Sequence, residues 1–140
     1  MLLIPRKTKY RKVQKGRIHN YDQKTKNLIY GKFGLIAQNS CFLKASQIEA
    51  ARQTINRHLI RTGRLWVLLF PDLGVTKRPT QVRIGKGTGV TKYWAIKVKA
   101  GKILFEIDGV SFDLAKTALI SGGYKLPIKV KILKKKVKIF

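Results

Sequence analysis

The most unusual chemistry in this sequence lies in a short stretch between positions 83 and 89, where glycines alternate with cations. The residues concerned are Arg83, Gly85, Lys86, Gly87 and Gly89. Glycine permits positive φ angles and lets the backbone approach a bulky partner closely, because it has no Cβ. Lysine and arginine in the same stretch would bind phosphate oxygens. The composition of this loop therefore predicts contact with a phosphate-rich partner.

The same stretch does not fit the nucleotide-binding loops of enzymes. A Walker loop needs a glycine where Thr80 stands and a serine or threonine where Gly87 follows the lysine. The dinucleotide-binding fingerprint fails as well, because Val90 occupies its third glycine position. We favour a basic, glycine-rich finger pressed against RNA. A solvent-exposed hairpin tip without a partner is the alternative.

No set of residues in the sequence has the spacing of a catalytic or metal site. Cys41 is the one cysteine and adjoins apolar residues, so we interpret it as a small buried hydrophobe. His58 has no Asp or Cys at catalytic spacing. No paired-carboxylate spacing that suggests acid/base chemistry occurs among Glu49, Asp72, Glu106, Asp108 and Asp113. We expect no catalytic residues, no metal and no cofactor.

The excess of positive charge indicates which kind of partner the protein binds, and it says little about the fold. The 140 residues include 31 Lys and Arg against 6 Asp and Glu, for a net charge of +25, and 44% of them are hydrophobic. Three segments lack acids: 1–17, the stretch between Asp72 and Glu106, and 125–140. Such segments form a footprint for phosphates, so nucleic acid is the favoured partner and an anionic membrane surface a distant second. The longest apolar run, within 65–71, is too short for a membrane-spanning helix.

The elements that would position these residues are a mixture of strands and helices. Apolar runs and alternation predict strands at 28–37, 65–70, 93–99, 103–107 and 126–132. Gly31 and Gly34 indicate a bend or bulge in the first strand. The turn at Ala100-Gly101 predicts a hairpin between the third and fourth strands. The fold class is α+β: a single compact domain in which two helices pack on an antiparallel or mixed sheet.

Two helices follow from spacing and capping signals. Ser46 and Glu49 form the pattern of a capping box, and Gly63 is the predicted stop. The apolar face of this helix consists of Ile48, Ala51, Ile55 and Leu59, and the cationic face of Arg52, Arg57 and Arg61. The second helix is predicted from 111 to 121, with Gly122 and Gly123 as its stop.

The remaining chain divides into an arm, a domain and a tail. We assign 1–20 to a basic N-terminal arm, 21–130 to the α+β domain and 131–140 to a Lys-rich tail. The arm has too few apolar residues to fold alone, so we expect it to order on RNA. Core packing is expected for Trp66, Phe70, Trp94 and Phe105, whereas Tyr10 could stack on a nucleotide or cover the domain edge.

These residues also carry a resemblance to a known family. The sequence resembles the bacterial-type large-subunit ribosomal protein sixteen from Pro5 to about Lys129. The matching blocks are 5–12 with 15–17, 31–35, 47–52, Trp66 with 70–72, 83–87 with 93–94, 101–110 and 125–129.

The resemblance implies an α+β protein lodged in large-subunit ribosomal RNA near the aminoacyl- and peptidyl-tRNA sites. Members of that family are not themselves enzymes. They help to shape the site where RNA does the chemistry. By position, the RNA-binding residues would be Arg6, Lys7, Lys9, Tyr10, Arg11, Lys12, Lys15, Arg17, Arg52, Lys125 and Lys129. The loop 83–89 would lie close to tRNA. The implied partners are ribosomal RNA, tRNA and neighbouring ribosomal proteins, with no membrane and no homo-oligomer. A free RNA-processing or assembly factor is the alternative function.

Three positions depart from the pattern of the family. Leu68 stands in place of an arginine, Thr88 in place of the second loop lysine and Ile84 in place of a methionine. Lysine outnumbers arginine by 22 to 9, as in proteins of AT-rich genomes, and the match begins at Pro5 without room for a presequence. Together with the 103–111 segment, these features favour a protein made inside a mitochondrion. A plastid or a bacterial cytoplasm is the alternative.

Overall fold

The computed structural model describes residues 3–22, 27–60, 62–85 and 87–135, and their fold is α+β, as predicted. The elements, in chain order, are β1 (Phe33–Ala37), β2 (Cys41–Lys44), α1 (Ala45–Leu59), β3 (Arg64–Val67), β4 (Leu73–Lys77), β5 (Val90–Val98), β6 (Ile103–Asp108), α2 (Phe112–Gly123) and β7 (Val130–Lys134). The sequence patterns missed two of these strands, β2 and β4. Both are short and adjoin turn residues, so neither shows enough alternation to register as a strand.

The described strands form two antiparallel sheets rather than one. The four-stranded sheet has the order β3-β6-β1-β7, and the three-stranded sheet has the order β2-β5-β4. The predicted hairpin between β5 and β6 is therefore wrong, although the turn exists, with Gly101 at φ 89°. The turn passes the chain from one sheet to the other, because Gly101 N–H donates to the Ala37 carbonyl and Ala37 N–H donates to Lys102. Ala37, at the end of β1, therefore forms hydrogen bonds with the β5–β6 turn, and β5 and β6 do not pair with each other.

The core lies between the helices and the sheets, and the predicted apolar face of α1 is confirmed. Its four residues are buried together with Leu35, Leu104, Phe105 and Leu119. Helices α1 and α2 pack against each other at Gly122, and Gly123 faces β7. Both glycines lie in the last turn of α2 and are buried. A Cβ on Gly122 would collide with the Ile55 side chain, and one on Gly123 would lie 2.7 Å from Val130 Cγ2. The sequence predicted that these glycines stop the helix after residue 121. They instead lie inside α2 and permit its close packing.

Both ends of α1 differ from the prediction. The helix begins two residues earlier, with Lys44 at the N-cap and its N–H donating to Gln47 Oε1 at 3.0 Å. It ends at Leu59, and Ile60 adopts a left-handed conformation with φ 47°. The Thr62 N–H and hydroxyl both donate to the Leu59 carbonyl, so the end is capped before Gly63 is reached. Different side-chain and backbone groups can satisfy the free N–H and C=O groups at the ends of a helix. The capping signals in the sequence therefore misplaced both ends of α1.

Strand β1 is shorter than predicted, because residues 29–31 bind a side chain and not a neighbouring strand. The carboxylate of Glu106, which is fully buried on β6, accepts the backbone N–H groups of Ile29, Tyr30 and Gly31. The irregularity in β1 falls between Leu35 and Ile36, beyond the two glycines that were expected to mark it. We call residues 28–31 the strap, since they cross the face of the four-stranded sheet that points away from the helices.

The last strand also begins later than the sequence indicated. Strand β7 starts at Val130, not at Leu126, and pairs with β1 from Phe33 to Ala37. Residues 131–134, which we grouped with the Lys-rich tail, lie in this strand, whereas the rest of that tail beyond 135 lies outside the described residues. Lysines at 129 and 131 are exposed, as their alternation predicted.

Candidate nucleic-acid interface

The N-terminal arm presents its cations to solvent along an irregular backbone. Every RNA-binding residue predicted between Arg6 and Arg17 is exposed, and the described arm contains neither helix nor strand. The beginning of the arm is fixed by Leu3, which is 4% exposed and belongs to the core. Further along, Lys15 Nζ lies 5.4 Å from the centroid of the Phe42 ring. The arm is therefore anchored at its start, and its charges remain available to a partner.

Tyr10 lies in the exposed part of the arm and also lines a cavity that the arm forms with the domain. It is 64% exposed, and Lys9 Nζ lies 5.6 Å from its ring centroid. Arm residues between Pro5 and Val13 line a cavity of about 230 Å³ together with Asp72, Gly74 and Trp94. Trp94 is half-buried, and part of its side chain lines this cavity.

The glycine-rich loop joins β4 to β5 and extends from the three-stranded sheet. Gly85, Gly87 and Gly89 have φ angles of 108°, 95° and 75°, so each adopts a conformation that side chains rarely tolerate. A Cβ on Gly85 or Gly87 would meet nothing within 4 Å, whereas one on Gly89 would lie 2.8 Å from the Lys77 carbonyl oxygen. Ile84 is 85% exposed at the tip. Arg83 is exposed, and Lys86 lies outside the described residues.

Two of the acidic residues make contacts within the protein that keep them from the arm and the loop. Glu106 is buried under the strap, and Glu49 binds Arg52 through two contacts of 2.6 and 2.8 Å. The guanidinium of Arg52 lowers the pKa of Glu49 to about 2, and the carboxylate in turn raises the pKa of Arg52. Arg52 is thus half-buried in an ion pair, whereas Lys125 and Lys129 are exposed like the arm residues.

The structure sorts the aromatic residues more finely than the sequence did. Phe105 is fully buried, as predicted, and Trp66 and Trp94 are half-buried. The prediction that Phe70 packs in the core was wrong. Its side chain is 47% exposed, because β3 ends at Val67 and the chain leaves the sheet. Cys41 is half-buried at the start of β2, and His58 is half-buried on α1.

Sequence reasoning missed one group of exposed residues on the four-stranded sheet, consisting of Tyr30, Lys32 and Arg64. The strap places Tyr30 against Trp66 with ring centroids 6.1 Å apart and planes at 17°. The alternation of β3 could have placed Arg64 beside Trp66, but nothing in the sequence pairs either residue with position 30.

The part of the chain that the structure describes has neither a metal-binding cluster nor a helix suited to cross a membrane. Across 3–22, 27–60, 62–85 and 87–135, no three His, Cys, Asp or Glu side chains cluster in a way that could hold a metal ion. Neither α1 nor α2 is long and apolar enough to cross a membrane.

The fold and its surface define a class: a small α+β protein with a basic arm, a glycine-rich basic loop and exposed cations suited to a polyphosphate partner. Comparison with known proteins gives the family. Residues 5–133 match the family model described as "Ribosomal protein L16p/L10e". The chain belongs to this ribosomal protein family.

Individual relatives agree with the family match. The chain is 50% identical to the large ribosomal subunit protein uL16 of Azorhizobium caulinodans over 134 residues, which cover 96% of this chain and 98% of that protein. It is 49% identical to the uL16 of Parvibaculum lavamentivorans, with coverage of 94% and 95%. It is also 49% identical to the uL16 of Pelagibacter ubique, with coverage of 96% and 98%. The resemblance stated from the sequence is confirmed.

Proposed function

We propose that this protein is a structural constituent of the large ribosomal subunit and binds large-subunit ribosomal RNA through its arm, loop and exposed lysines. The observation that carries the proposal is the match to a ribosomal protein family over 5–133, which includes nearly the whole of the cationic surface described above. A net charge of +25 opposes the compact state unless a polyanion neutralises it, and ribosomal RNA supplies that polyanion. The protein acts by binding and not by catalysis.

Within the subunit, the loop 83–89 serves the tRNA sites and the arm anchors the protein. The loop extends from the sheet with two glycines that have open space around them, so its shape suits a partner outside this chain. The arm carries seven cations between Arg6 and Arg17, which makes it the stronger electrostatic anchor. Neighbouring ribosomal proteins complete the environment.

The site of action is the ribosome, and we propose a mitochondrial one. The support is the excess of lysine over arginine and the 103–111 segment, while the relatives named above are bacterial and fit a bacterial cytoplasm equally. Mass spectrometry of ribosomes purified separately from organelles and from cytoplasm distinguishes the two. Recovery of this chain only in ribosomes from outside the organelle would overturn the mitochondrial proposal.

Sedimentation tests the main proposal and separates it from an RNA-processing or assembly factor. Lysate is fractionated on a sucrose gradient and the protein is quantified against other large-subunit proteins. One copy per mature large subunit, retained after a moderate-salt wash, is the expected result. Accumulation only on immature particles, or at the top of the gradient, would contradict a structural role.

A further inference from the structure

The strap and the edge strand β3 build an aromatic surface that the arm and the loop do not share. Tyr30 and Trp66 stack in an offset arrangement, and Tyr30 remains 56% exposed. Offset pairs with centroids 4.5–7 Å apart are stable, so one face of the tyrosine is held in place while its other face stays open. A fixed, exposed aromatic face is what an unpaired nucleobase stacks on.

The strap is held firmly enough to fix Tyr30. The Tyr30 N–H donates to Glu106 Oε2 at 2.7 Å, and the neighbouring N–H groups of Ile29 and Gly31 donate to the same carboxylate. Hydrogen bonds to a charged acceptor are stronger than neutral ones. The tyrosine is therefore positioned in the free protein, and a base that stacks on it would not have to order the strap first.

Cations border this aromatic pair on the same face of the sheet. Arg64 lies two residues from Trp66 on β3, and side chains two apart in a strand share a face. Lys32 extends the register of β1 and has its Nζ 3.8 Å from Asp108, which is opposite Arg64 on β6. Lys135 continues the row, because its N–H donates to the Lys32 carbonyl. Three cations and one acid thus cross the sheet beside the aromatic pair.

We propose that Tyr30 and Trp66 form a subsite for one unpaired base of RNA, with the flanking phosphates bound by Arg64 and Lys32. The proposal rests on the RNA-binding function proposed above and adds a defined base contact to it. An extended protein segment is a poorer occupant, because the row of cations beside the pair matches the phosphates next to a stacked base.

The experiment measures affinity for a large-subunit ribosomal RNA transcript over a series of salt concentrations. Tyr30→Leu keeps an apolar side chain against Trp66 but removes the π face, so we expect binding to weaken by about 5- to 100-fold with an unchanged salt slope. Tyr30→Trp should restore binding, since it restores a stacking face. Tyr124→Leu is the matched control, because Tyr124 is 82% exposed at the end of α2 and should bind like the parent.

The cations give an independent test. Arg64→Gln should lower the slope of log affinity against log salt by about 0.7–0.9, the value for one phosphate contact, and leave the stacking contribution intact. Circular dichroism of each variant checks that the strap and sheets remain folded.

The outcomes separate this proposal from the one on which it rests. If the parent protein does not bind the transcript, RNA binding itself fails. If the parent binds and Tyr30→Leu binds equally well, the base subsite is overturned while RNA binding stands. Normal RNA affinity combined with poor incorporation of Tyr30→Leu into subunits would assign this surface to a neighbouring protein and would also overturn the proposal.

Discussion

The carboxylate of Glu106 accepts the backbone N–H of Gly31 at 2.7 Å, across 75 positions of sequence, in the buried interior of the protein. The same oxygen accepts the N–H of Tyr30, and the other oxygen accepts that of Ile29 at 3.2 Å. One acidic side chain thus replaces the strand partner that residues 29–31 lack. In a protein with six acids, this one serves the fold and not the surface.

Glu106→Gln should therefore lower the free energy of unfolding by about 2–3 kcal/mol, because the amide NH₂ faces backbone donors and leaves at least one of them buried without an acceptor. Urea denaturation measures the effect. Asp72→Asn is the control, since Asp72 is exposed and its replacement should change stability by less than about 0.5 kcal/mol. Equal effects of the two substitutions would show that the Glu106 hydrogen bonds contribute nothing specific.

The packing of α1 on α2 predicts a coupling between Gly122 and Ile55. Gly122→Ala should destabilise the protein by about 1–3 kcal/mol, because its Cβ would overlap the Ile55 side chain. Shortening that side chain with Ile55→Ala should reduce the cost of Gly122→Ala, which a double-mutant cycle measures by denaturation. Strict additivity of the two substitutions would contradict the close contact.

The ion pair between Glu49 and Arg52 predicts a pH dependence of stability. The pKa of Glu49 is lowered to about 2 by Arg52, so its contribution is present above the ordinary value of 4.5 and is lost as pH falls toward 2. Glu49→Gln should be less stable than the parent by about 1 kcal/mol at pH 7, a value reduced for solvent screening. The difference should shrink by about half or more by pH 3. Denaturation curves at several pH values check this, and a pH-independent difference would rule out ionisation as its cause.

The three loop glycines should respond differently to substitution. Gly85→Ala and Gly87→Ala meet no neighbouring atom, and only their positive φ angles strain an alanine, so we expect a loss of stability of about 1–2 kcal/mol. Incorporation into subunits should stay near normal, and tRNA binding should be impaired. Gly89→Ala should destabilise the domain itself, since its Cβ would press on the Lys77 carbonyl at the start of the loop. Purified variant subunits are assayed for protein stoichiometry and tRNA binding. Loss of incorporation with Gly85→Ala would show that the loop anchors the protein instead.

The arm should contribute charge and little else to RNA affinity. Replacing its seven cations from Arg6 to Arg17 with glutamine retains Leu3, which packs in the core, and should lower the salt slope by at most about 6. Thermal stability should stay near that of the parent, because the replaced side chains are exposed. Filter binding across a salt series gives the slope, and an unchanged slope would remove the arm from the RNA interface.

The sequence by itself determined the composition of the surface, the buried face of α1, the fold class and the family, because these depend on residue type and short-range spacing. The apolar positions 48, 51, 55 and 59 share a face in any helix, and an excess of 25 positive charges must lie largely at the surface in any fold.

Only the tertiary structure decided the two-sheet arrangement, the close packing of α2 at Gly122 and Gly123 against α1 and β7, and the contact between Tyr30 and Trp66. Each depends on groups far apart in sequence: Gly101 binds Ala37, Gly122 faces Ile55, and the strap binds Glu106. A local pattern carries no information about which distant backbone donors a buried carboxylate will meet. Tyr30 contacts Trp66 because the Glu106 carboxylate holds the strap beside β3, and the sequence alone does not show this.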